Sequence, residues 1–133
     1  MKARAGRRKW ASGSLIAFAV MMVTATTAVM ADAFGPVLYD PKRDQIIVTM
    51  IYDGTNANHH FTIQWGHCRK LHDQLQGRTR KIINVGILDD QWNDVAKKRY
   101  TKIVRVPLAG LSCRPATVTL WTPPNQYTRI AIP

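Results

Sequence analysis

Short apolar segments alternating at period two, each bounded by Gly, Pro, Asn or Asp, constrain this chain most. That alternation puts successive side chains on opposite faces of a pleated strand, so each segment offers one apolar face to a core. In His60 to Trp65 it directs Phe61, Ile63 and Trp65 inward and His60, Thr62 and Gln64 outward. Gln45 to Tyr52 is the expected hairpin partner of this segment, across a turn of Asp53, Gly54, Thr55, Asn56, Ala57 and Asn58.

Lys81 to Leu88 carries Ile83, Val85 and Ile87 on one face. Tyr100 to Leu108 is a further strand, and Pro107, which cannot donate a ladder hydrogen bond, places it at an edge or ends it. Ala116 to Thr122 and Gln126 to Ile132 pair across Pro123, Pro124 and Asn125, and a short strand over Val37 to Tyr39 opens the domain. Helical turns fit only Lys70 to Gln76 and Val95 to Tyr100. The expected fold is all-β: a single small immunoglobulin-like β-sandwich of roughly six or seven strands, with a small closed β-barrel as the alternative.

Two domains of sequence precede and contain this pattern. Residues 1–31 read as a signal peptide: Lys2, Arg4, Arg7, Arg8 and Lys9 open it, an apolar run from Leu15 to Val23 follows, and small residues lead to cleavage after Ala31 or Ala33. Threonines and modest length weaken a full membrane span, so no stable anchor is expected once it is cleaved. Paired Arg7 and Arg8 leave the general and the twin-arginine export routes both open. Residues 32–133 are then the exported domain, periplasmic or secreted. Five of the nineteen Lys and Arg residues belong to the leader, which leaves fourteen against eight acidic residues and a charge of about +6 rather than +11.

Export also explains the cysteines. Cys68 and Cys113 are the only two, and an oxidising compartment favours their closure into one disulfide. In the chain-entropy account a loop of this length stabilises the fold by about 4 kcal/mol. No Cys-x-x-Cys redox motif is present.

Catalytic chemistry is poorly supplied. The exported part has no glutamate, its one serine is Ser112, and it lacks Gly-x-Ser-x-Gly and glycine-rich phosphate loops, so no enzyme activity and no cofactor are expected. Binding is the expected role, to an acidic protein or an anionic envelope component rather than nucleic acid. Basic residues gather in two sets, Arg69, Lys70, Arg78, Arg80 and Lys81, and Lys97, Lys98, Arg99, Lys102 and Arg105. Trp92 with Lys97, Lys98, Arg99 and Lys102 is the candidate partner surface. The alternative is periplasmic metal binding by the cluster His59, His60, His67 and His72, with His60, His67 and His72 as ligands, although His59 and His60 would face opposite ways in a strand. Asp89, Asp90, Asn93 and Asp94 fit an ordinary turn better than a calcium loop.

Overall fold

The computed structural model describes residues 32–94 and 96–133, so the leader of residues 1–31 lies outside the described residues. Eight strands make two sheets: β1 (Ala33–Asp40), β2 (Gln45–Asp53), β3 (Phe61–Trp65), β4 (Arg69–Asp73), β5 (Arg78–Asp89), β6 (Arg99–Pro107), β7 (Ala116–Thr122) and β8 (Gln126–Ile132). One sheet has the order β1-β2-β6. The other has the order β3-β5-β7-β8, with β4 also paired to β5. The arrangement is a sandwich of two open sheets, not a closed barrel.

Alternation builds the core from both sheets. Ile46, Val48 and Met50 of β2 and Val104 and Val106 of β6 are buried against Ile83, Val85 and Ile87 of β5 and Val118, Leu120 and Ile132 of β7 and β8. These β-branched side chains, with Leu120 and the unbranched Met50, fill the space between sheets spaced about 10 Å apart. Pro107 ends an edge strand, and β7 pairs with β8 across the proline turn, as their sequences require.

Three features differ from the expectation. The segment Gln45 to Tyr52 does not form a hairpin with His60 to Trp65: β2 pairs with β1 and β6, whereas β3 pairs with β5. The intervening residues carry the chain from one sheet to the other, and their turn-forming residues serve that crossing. Residues 69–73 form a strand instead of a helical turn, because β5 is long enough to pair β3 over Val85 to Asp89 and β4 over Arg78 to Ile82. The opening strand is also longer than Val37 to Tyr39, with a bulge between Phe34 and Val37 that accommodates Pro36 on an edge. The count is therefore eight strands.

The break between β3 and β4 is where the disulfide enters. Gly66 donates its backbone N–H to the Asn84 carbonyl at 2.7 Å, and a Cβ there would stand 2.8 Å from that same oxygen, so a side chain would push β3 off β5. Cys68 follows immediately and is bonded to Cys113, with Cα atoms 5.7 Å apart. The bridge ties the start of β4 to the β6–β7 connection. Arg69, the next residue, is thereby held over β5, opposite Ile82.

Candidate functional site

Charged side chains concentrate in two places of opposite character. The first is a closed cluster where the β2–β3 and β5–β6 connections meet. His59 is completely buried there, and its Nδ1 lies 2.7 Å from Asp89 Oδ2 while its Nε2 lies 3.0 Å from Asp94 Oδ2. A carboxylate at each ring nitrogen gives both nitrogens an acceptor, an arrangement that favours the imidazolium form. Burial alone would lower the His59 pKa, but hydrogen bonds and charge from Asp89 and Asp94 outweigh it and raise the value.

Each carboxylate is held in turn. Asp94 Oδ2 accepts the Thr55 backbone N–H at 2.8 Å and the Thr55 hydroxyl at 3.0 Å, and that amide, followed by His59, keeps its pKa low. Asp89 Oδ1 accepts the Gln91 N–H at 2.9 Å. Burial, and then the charge and hydrogen bond of Asp89, push the Asp32 carboxyl up to about 6. The Tyr52 ring stacks tilted on His59 with centroids 4.6 Å apart, and Lys102 Nζ donates to the His59 carbonyl. Gly54 leaves the space: a Cβ there would stand 2.5 Å from His59 Nε2. Both ring nitrogens and the carbonyl of His59 are thus engaged internally. Ser112 lies in the β6–β7 connection, at the other end of β6, so it adds no nucleophile to this histidine.

The second place is open. On the outer face of the larger sheet, Arg69, Leu71, Arg80, Ile82, Asn84, Thr117, Thr119, Tyr127 and Arg129 line a groove of about 430 Å³. Alternation put them there, since Ile83, Val85, Val118 and Leu120 turn inward between them. Ile82 stands between Arg69 and Thr117, and Thr119 between Asn84 and Arg129, in rows perpendicular to the strands. Tyr127 is 66% exposed at one end. Among the described residues the ion pairs are His59 with Asp89 and Asp94, Arg99 with Asp53, and Arg114 with Asp44, so Arg69, Arg80 and Arg129 have no carboxylate partner. Asp73, on the same face at the β4–β5 turn, accepts the Leu75 and Gln76 amides.

The residues expected to bind a partner fall elsewhere. Trp92 is 79% exposed in the β5–β6 connection, and Lys97 is exposed nearby. Lys98 lies over the Tyr100 ring, Arg99 pairs with Asp53, and Lys102 serves the His59 carbonyl, so these three already have internal partners. His60, His67 and His72 are all exposed, on the approach to β3, the β3–β4 break and β4, and His72 Nδ1 lies 3.3 Å from Thr79 Oγ1. Among the described residues no group of three His, Cys, Asp or Glu side chains could hold a metal ion.

Sequence reasoning placed His59 only in a histidine cluster, missing its burial between Asp89 and Asp94, and passed over the groove. A signal for the first existed: continuing the alternation Ile83, Val85, Ile87 by one step puts Asp89 on the inner face, where a buried carboxylate needs a cationic partner. The groove requires the β5–β7–β8 register, which brings Arg129 to the face that holds Arg80. Comparison with known proteins finds no family model that matches the chain and no curated protein or solved structure similar to it.

Proposed function

We propose that this protein is an exported, non-catalytic binding domain with an anionic ligand or partner, and that the outer groove of the larger sheet is where it binds. The observation that carries the reading is the set Arg69, Arg80 and Arg129, without carboxylate partners and around one concavity. Guanidinium groups fit carboxylate and phosphate oxygens through paired N–H donors, and a cluster lacking internal counter-charge attracts anions over the length permitted by salt screening. Strands hold these arginines on a rigid platform, and the Cys68–Cys113 bridge sets the position of the first. The disulfide and the leader-like residues 1–31 support a periplasmic or secreted domain, and the sandwich of two open sheets supports an immunoglobulin-like one.

The test is retention of purified protein on a polyphosphate matrix across a salt gradient. Wild type is expected to elute at higher salt than the triple variant Arg69→Gln, Arg80→Gln, Arg129→Gln. Equal elution would overturn the site assignment. For export, mass spectrometry of protein from its producing cells should show an N-terminus at Asp32 or Phe34, with two hydrogens missing from the cysteine pair. An intact Met1 on a membrane-bound product would overturn that part.

A further inference from the structure

The groove contains more than cations, and its other side chains narrow the anion. Between the arginines its floor presents the Asn84 amide and the Thr117 and Thr119 hydroxyls, and Tyr127 stands exposed at one end. We infer that the ligand is an acidic glycan, a sugar chain carrying carboxylates at intervals, with Arg80 and Arg129 each holding one carboxylate. The inference rests on the anion-binding reading above and names the class of ligand for that site.

Four observations favour this class. Arg129 stands well apart from Arg69 and Arg80, which are diagonal neighbours on β4 and β5: from the register, Arg80 and Arg129 sit four residues and two strands apart, a diagonal of roughly 17 Å between Cα positions at strand spacing. A repeating acid spans that distance; an isolated phosphate does not. Neutral donors and acceptors on the floor match hydroxyl groups between the charges, since Asn and Thr can both donate and accept. The exposed Tyr127 ring offers an apolar face for the C–H side of a sugar ring. Finally, the cations line a concavity, which an extended chain can enter and the plane of a bilayer cannot.

The polar groups and the tyrosine then each have a role. Arg80 and Arg129 pair with carboxylates, Arg69 adds charge from the flank beside Ile82, Thr117, Thr119 and Asn84 bond ring hydroxyls, and Tyr127 stacks. A single-stranded nucleic acid also combines phosphates with stacked rings, but it uses successive aromatic platforms, whereas this groove is lined by one aromatic side chain.

Calorimetry on the purified protein, with an oligogalacturonate, the matching neutral oligosaccharide, polyphosphate, a single-stranded oligonucleotide and anionic phosphatidylglycerol vesicles, tests the inference. Expected is saturable binding of the uronate and none of the neutral sugar. Arg80→Gln and Arg129→Gln should each weaken it about tenfold, the loss of one charge-assisted pair. Tyr127→Ala should weaken the uronate severalfold and leave retention on polyphosphate unchanged. Thermal melting of each variant, unaltered, keeps a loss of binding from being a loss of fold. If polyphosphate, oligonucleotide or vesicles bind at least as well as the uronate, or Tyr127→Ala has no effect, the glycan is overturned while the anion-binding reading stands. If no anion binds in an arginine-dependent way, both fall.

Discussion

The two charged regions of this molecule use the same chemistry to opposite ends. Around the buried His59 ring, one cation meets two carboxylates, and each ring nitrogen faces a carboxylate oxygen. In the outer groove three cations meet none among the described residues. A buried charge without a partner is costly, so the interior cluster must be internally complete for the chain to fold. An exposed guanidinium carries no such penalty and can be left unpaired. Charge that is neutralised internally holds the connections in place; charge that is not remains available for a ligand. Breaking each region should therefore give opposite results in stability and in binding.

The largest effect is expected at Asp89. Replacing it by Ala leaves an imidazolium buried with one of its two carboxylates missing, and the stability loss measured by urea denaturation should be about 3–5 kcal/mol. Retention on polyphosphate, measured below the transition, should not change. A loss under 1 kcal/mol would mean that His59 is neutral and the cluster loosely held.

Gly54→Ala should come next. The added methyl meets His59 Nε2 and Asp94 Oδ2 at 2.5 and 2.9 Å, so one of them must move, at about 1–3 kcal/mol by overpacking. The accompanying sign is a downfield His59 imidazole proton in the wild-type NMR spectrum that is lost or shifted in the variant. An unchanged resonance would show that the connection relaxes around the methyl.

The pH dependence has a definite sign. His59 has a raised pKa in the fold, so its stabilisation is complete below about pH 6.5 and is lost as pH rises through the raised value. Asp32, pushed up to about 6, favours its protonated form in the fold and takes stability away as pH climbs from about 4 to 6. Asp94 acts in the other direction, its contribution being present above about pH 3.8 and lost as pH falls through its lowered value. Denaturation midpoints should therefore be higher at pH 5 than at pH 8.5, with Asp32→Asn removing the lower part of that slope. A midpoint that rises steadily across the interval would contradict the protonated cluster.

The contrast between the regions also separates what the sequence reveals from what it hides. Period two alone locates β2, β3, β5, β6, β7 and β8, because each has an apolar face to bury. It misses β4, whose Arg69, Lys70, Leu71, His72 and Asp73 include one apolar residue and are held extended by β5 rather than by their own pattern. It also mispairs β2 with β3, since turn residues look alike whether the chain reverses within a sheet or crosses to another. His59 was hidden for a related reason: its partners lie 30 and 35 residues away, and only folding distinguishes a buried histidine from the exposed His60 beside it. The groove depends on lateral neighbours, so no single segment displays it.

The smallest expected stability change belongs to the groove, and it is the sharpest test of the comparison. In the double variant Arg80→Gln, Arg129→Gln no ion pair of the fold is broken and the alkyl stems are largely kept, so stability should stay within about 0.5 kcal/mol of wild type. The salt dependence of polyphosphate binding should nonetheless fall by close to one counterion for each cation removed, about two in all. Asp89→Ala should show the converse, a large stability loss with an unchanged salt slope. If the arginine variant unfolds readily, those guanidinium groups are structural and the groove is not a free cationic surface. If it keeps both its stability and its salt slope, the anion is recognised elsewhere, with Trp92 and Lys97 on the β5–β6 connection the next surface to vary.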